Sequence, residues 1–202
     1  GDVVTTGAGN TGIGQTALGA LTEGNNNVGA GMDAGGSITT GLNNVCLGVS
    51  AGAQGSMVNI TTADNYIVVG NNTSSTASIK IDWTVTSDER DKTDITELPK
   101  EAGLEFINQI KPVTYVWDDR ERYYPYGHEK YGERDNSKKS TRPHVGFTSQ
   151  NIKTVEESIG WAGDHIVDTS NDTWSMKYSA MIPMLVKAIQ QLSAQVEELK
   201  EK

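Results

Sequence analysis

Ser87 and Lys92 stand five residues apart in the run Ser87-Asp88-Glu89-Arg90-Asp91-Lys92. They are a hydroxyl and an amine that could act as nucleophile and base. A serine hydroxyl attacks a carbonyl only when a nearby group takes its proton, and a lysine can do so once burial or a neighbouring cation favours its neutral amine. Arg90 is a candidate for that cation, while Asp88 and Asp91 would oppose it. On spacing alone the pair is also compatible with a solvated turn in which Ser87 caps a helix.

The run sits at a change of composition. The 202 residues carry a net charge of −9, which argues against nucleic acid as the main partner, because binding phosphates requires a basic surface. No apolar run approaches the roughly 18 residues that cross a bilayer, and membrane insertion is not expected. Gly1 in place of Met is read as the mark of a piece of something longer. One cysteine, Cys46, excludes an intrachain disulfide and a cysteine-cluster metal site. His128, His144 and His165 lack ligand spacing, so neither metal nor cofactor is expected.

Residues 1–78 hold most of the 22 glycines. Asn10 to Ala17 aligns without a gap on Asn27 to Ala34 and on Asn44 to Ala51, a period of 17 residues. Asn65 to Gly70 reads as a further copy after an insertion. Each unit reads as a short strand with Gly and Asn in its turns. Such units are expected to stack or to interwind with other chains, and not to bury a core within a lone monomer. Gly12-x-Gly14-x-x-Ala17 and Gly29-x-Gly31-x-x-Ala34 fit a dinucleotide-binding pattern, but they recur because the repeat recurs. Asn59-Ile60-Thr61 and Asn71-Asn72-Thr73 fit the glycosylation acceptor and are better read as turns.

Ile79, Ile81, Trp83 and Val85 alternate with polar residues, predicting a half-buried strand over 79–86 that leads into the junction. Beyond it, Pro99 to Ile110 predicts a helix, Pro112 to Trp117 a strand, His144 to Phe147 a strand and Gln150 to Ile159 a helix. Residues 118–142 interleave Arg120, Arg122 and Arg134 with acidic residues and with Tyr123, Tyr124, Tyr126 and Tyr131, which reads as an exposed, self-paired loop. At the end, Ile182, Leu185, Ile189, Leu192, Val196 and Leu199 are spaced 3, 4, 3, 4 and 3 apart, a heptad seam with β-branched residues at a and Leu at d. With Pro183 in the first turn, this coiled-coil-like helix is expected over 179–202. It is expected to pack both on its own domain and on other copies, although an ordinary amphipathic helix on a monomer core fits the same pattern.

Ser87-Asp88-x-Arg90-x-Lys92, Lys111-Pro112-Val113-Thr114-Tyr115, His144-Val145-Gly146-Phe147-x-x-Gln150 and Lys177-Tyr178 occur in that order. Together they resemble the carboxy-terminal intramolecular chaperone domain of bacteriophage tailspikes and tail fibres, the S74 peptidase family. The resemblance implies a homotrimer whose α/β (α+β) domain, residues 87–202, registers a β-rich fibre stem and then removes itself. The cut falls at Thr86-Ser87, with Ser87 as nucleophile and Lys92 as base, a self-cleaving serine endopeptidase acting once per chain. Asp88 and Arg90 match motif positions and are expected to shape the site.

It further implies a virion tail fibre or appendage assembled in the host cytoplasm, with the chaperone domain released after cleavage. The mature stem is expected to meet a host surface receptor. The alternative is a structural trimerisation tip that stays attached and contributes to receptor binding. A β-solenoid enzyme acting on polysaccharide lacks the paired acidic residues it would need.

Overall fold

A computed structural model of the chain describes residues 6–125, 127–161 and 165–202; Tyr126 lies outside the described residues. The chain forms two compact units, Gly1–Ser78 with Trp117–Thr141, and Ile79–Val116 with Arg142–Lys202. The loop expected inside the carboxy-terminal domain thus groups with the repeats.

In the first unit, β1 (Thr11–Ile13), β2 (Val28–Ala30), β3 (Val45–Leu47) and β4 (Ile67–Val69) form one parallel sheet in chain order. Thr11 pairs with Val28 and Val28 with Val45, so each coil of the chain lies on the next at the repeat period. Val45 pairs with Ile67, a longer step. The insertion lies between Gln54, still bonded 17 residues back to Ser37, and Thr61, 22 residues from its partner Thr39.

The middle residue of each strand points inward, and Cys46 and Val68 there are buried. They pack with Leu18, Leu21, Ala34, Ile38, Ala51 and Ile60 into one apolar cluster. The expectation that the repeats bury no core in a lone chain is therefore overturned. Stacking on the chain's own next coil supplies the cover that interwinding was invoked to provide. Close stacking needs glycine at Gly31, whose φ is +132° and where a Cβ would lie 2.6 Å from the Gly48 carbonyl.

A column of asparagines runs through this unit. Asn27 Oδ1 accepts from Asn44 N at 3.0 Å and from Asn44 Nδ2 at 3.1 Å, while Asn27 Nδ2 donates to Gly41 O at 2.8 Å. Asn10 and Asn44 repeat the pattern one coil either side. Both Asn27 and Asn44 are fully buried, so these bonds offset the desolvation that an unpaired amide would suffer. Neither glycine pattern is followed by a helix; each strand runs into turns, which removes the context a dinucleotide site requires.

Residues 117–141 close on themselves through Ser140 N to Trp117 O, and Tyr123 joins Asp118 to the Lys138 backbone. Asn72 Nδ2 donates to Glu121 Oε2 at 2.7 Å, tying this loop to the last coil.

The second unit contains helices α1 (Leu104–Gln109), α2 (Ser149–Ser158) and α3 (Ile182–Lys200). Two antiparallel hairpins accompany them, β5 (Val113–Tyr115) with β6 (His144–Gly146), and β7 (Val167–Asp168) with β8 (Ser175–Met176). Phe106, Ile152, Val155, Ile166, Val167, Met181 and Met184 form its core. The helix expected over 99–110 is split at Gly103 into a 3-10 turn, Lys100–Ala102, and α1. Gln191 of α3 explains the break: its Oε1 accepts from Leu104 N and its Nε2 donates to Lys100 O, and a Cβ at residue 103 would collide with it.

The strand expected over 79–86 does not form in the single chain. Its apolar side is exposed, Trp83 by 76%, and among the described residues no strand lies alongside to complete a ladder.

Candidate active site at the junction

Ser87 precedes a single 3-10 turn, Glu89–Asp91, and the turn is capped by Asp88, not by Ser87. The Asp88 side chain accepts from Arg90 N at 2.9 Å, and Arg90 Nε and Nη2 grip the same carboxylate, Nη2 at 2.6 Å. The Arg90 side chain, with a further contribution from its backbone N–H, holds the Asp88 carboxyl below the usual carboxylate range. Lys92 N bonds back to Glu89 O, and this reversal lays the lysine side chain along the turn.

Lys92 Nζ reaches Ser87 Oγ at 2.7 Å and Ser87 O at 3.3 Å. Hydroxyl and amine thus meet within the distance that proton transfer requires. Both residues are exposed in the single chain. Arg90, considered above as a cation acting on Lys92, is committed to Asp88. Thr86, immediately before Ser87, is exposed and lies in no strand or helix.

The remaining motif residues gather elsewhere in the second unit and have packing roles. Val113, Thr114 and Tyr115 pair with Gly146, Val145 and His144. Phe147 N donates to the Tyr178 hydroxyl, which lies where a Cβ on Gly146 would be. Lys111 N donates to Asn151 Oδ1, tying the strand entry to α2. An apolar groove of about 360 Å³ lies beside them, lined by Ile107, Ile110, Phe147, Tyr178, Met181 and Leu185. It contains neither Ser87 nor Lys92.

On α3, Ile182, Leu185, Ile189, Leu192, Val196 and Leu199 are all exposed, Ile189 by 66%. The face turned to the unit's own core is one residue out of phase, with Met181, which just precedes the helix, followed by Met184 and Ala188, and the Gln191 bonds beyond them. The reasoning from sequence missed that stripe because Ala and Gln give no apolar signal. It missed Glu156 too, a fully buried carboxyl whose Oε1 accepts from Ile166 N at 3.1 Å.

Among the described residues, no cluster of His, Cys, Asp and Glu side chains could hold a metal ion, and no helix is long and apolar enough to cross a membrane.

Residues 87–160 match the family model Peptidase S74, described as chaperone of endosialidase. This segment belongs to the chaperone-of-endosialidase family. The match begins at Ser87 and takes in the Ser87–Lys92 turn, α1, β5, β6 and α2, while α3 lies beyond it. The family is a peptidase family as well as a chaperone family by description. No curated protein matches the chain.

Proposed function

We propose that residues 87–202 act as an intramolecular chaperone that gathers copies of the chain into a homotrimer, registers their amino-terminal coils and releases itself at Thr86-Ser87. The observation that carries this reading is the 2.7 Å bond between Lys92 Nζ and Ser87 Oγ, at the first residue of the family match.

In the proposed reaction Lys92, as a neutral amine, takes the proton of the Ser87 hydroxyl. Ser87 Oγ attacks the Thr86 carbonyl carbon, and the bond between that carbon and Ser87 N breaks. The proton held on Lys92 passes to the departing Ser87 amine, leaving an ester between Thr86 and Ser87 Oγ. Water then hydrolyses the ester to a Thr86 carboxylate and restores the Ser87 hydroxyl. A lysine exposed to water favours its charged form, and burial favours the neutral one. Cover from neighbouring copies over the exposed junction is therefore part of the proposal, and it would couple cutting to assembly.

Assembly itself is assigned to the exposed seam of α3; β-branched residues at a and Leu at d favour two strands in isolated parallel coils, so the threefold number is assigned to the rest of the chain. Coils repeating every 17 residues create a register hazard, because neighbouring copies can meet one coil, about 4.8 Å, out of step. A trimeric tip makes the alignment intramolecular. Removing the tip afterwards leaves the stem held by its unfolding barrier. The proposed setting is a virion tail fibre or appendage built in the host cytoplasm, with the stem available to a host surface receptor.

The test is to fold the chain with hydroxylamine present, beside Ser87→Ala and Lys92→Ala. The reading expects a hydroxamate on Thr86 in the parent and intact alanine variants. Cleavage of Ser87→Ala at the parent's rate would defeat it.

A further inference from the structure

We infer that the outward face of the four-stranded parallel sheet is the surface through which the stems of neighbouring copies pack, each stem being a coil wound by one chain. The inference rests on the assembly proposed above and goes beyond it by naming the stem surface. In β1 to β4 the middle residue of each strand faces the core, which leaves Ile13, Val28, Ala30, Val45, Leu47, Ile67 and Val69 on the opposite face. Ile67 is 75% exposed and Val69 64%. These residues fall into two apolar columns that run from coil to coil.

Two features identify the occupant. The first is charge. No Lys, Arg or His precedes Lys80, and among the described residues before it the acidic Glu23, Asp33 and Asp64 lie off the strands. A charged partner would gain nothing on this face, whereas a second copy presents the same uncharged columns at the same coil spacing and meets no repulsion.

The second is area. Four three-residue strands spaced about 4.8 Å apart, with a rise of about 3.3 Å per residue, make a face of about 14 by 10 Å, or about 140 Å², far short of the roughly 800 Å² per partner of a stable interface. Such a stripe cannot recruit a free partner. It can hold one delivered at high effective concentration, and the exposed seam of α3 delivers a copy of this chain.

The experiment uses the full chain with Cys46→Ala, carrying a single reporter thiol at Ile67→Cys, treated with a short bifunctional maleimide. Thr61→Cys, exposed in the Thr22, Thr39 and Thr61 column elsewhere on the coil, is the comparison. The expected result is efficient linking of chains through residue 67, little through residue 61, and loss of the residue 67 product when Leu47→Glu is added. Sedimentation should still show an oligomer in the Leu47→Glu chain, because the helix seam is untouched. An oligomeric parent that links no better through residue 67 than through residue 61 would overturn the inference and leave the chaperone reading standing. A parent that is monomeric throughout would remove both. Ile189→Glu, which should abolish linking at residue 67 by removing the tether, separates the two surfaces.

Discussion

Replacing Asn27 by Ala should unfold the coil stack far more readily than its neighbour in sequence would suggest. The Asn27 side chain accepts from Asn44 N and Nδ2 and donates to Gly41 O and Asn10 Oδ1. Asn44 Nδ2 keeps its bond to Ala63 O, so two groups are orphaned outright, the Asn44 backbone N–H and the Gly41 carbonyl. Asn44 is fully buried, and each buried orphan costs about 1–3 kcal/mol, giving roughly 2–6 kcal/mol for the pair. Water entering the gap favours the low end, and about 3 kcal/mol is the working expectation. That is a large share of the ~5–15 kcal/mol that stabilises a domain.

Asn25→Ala, which removes one solvent-facing bond to Ala8 N, should cost under about 1 kcal/mol. The assay is native-state amide exchange across coils 27–48, where 3 kcal/mol appears as about a hundredfold faster exchange. Equal exchange rates in Asn27→Ala and Asn25→Ala would show that the ladder does not hold the coils together.

Burial raises the Glu156 carboxyl above its ordinary value, opposed by the Ile166 backbone N–H and by Lys153 and His165. Because the folded value lies above the unfolded one, the Glu156 contribution to the second unit's stability should be full below about pH 4.3 and lost as pH rises through the raised value. Glu156→Gln, which keeps an acceptor for Ile166 N, should flatten that part of the melting-temperature profile; a matching slope in parent and variant would contradict it. Asp88→Ala removes both the turn cap and the Arg90 grip, so processing should slow about tenfold as Lys92 loses its hold beside Ser87, with helical content unchanged. Unchanged processing in a time course on denaturing gels would rule out that positioning role. Gln191→Ala should cost about 1–3 kcal/mol in the second unit by freeing Leu104 N, while Lys100 O keeps its bond from Gly103 N, read from chemical unfolding. A smaller change than in an exposed α3 position such as Gln190→Ala would refute the clamp.

The period of the stem was legible because stacking one coil on the next repeats the same demands every 17 residues. Whose coil lies above was not legible, since a periodic chain satisfies those demands with itself or with another chain. Asn27 and Asn44 read as turn residues because nothing local distinguishes a buried amide from an exposed one. The alternation at 79–86 reports that one side wants cover and does not say who provides it. The same holds for the α3 seam, legible as a heptad and exposed in the single chain, while the Met181, Met184, Ala188 and Gln191 side was hidden by its small and polar members. Ser87 and Lys92 were readable as a pair. The Asp88–Arg90 grip that bends the turn between them was not, since it depends on local backbone geometry.

The most direct measurement is the intact mass of the freshly folded chain, followed over time with its oligomeric state. The account predicts that an oligomer forms first and that two fragments then appear, ending at Thr86 and beginning at Ser87. A stable oligomer that stays whole at Thr86-Ser87, or one cut at another bond, would contradict it.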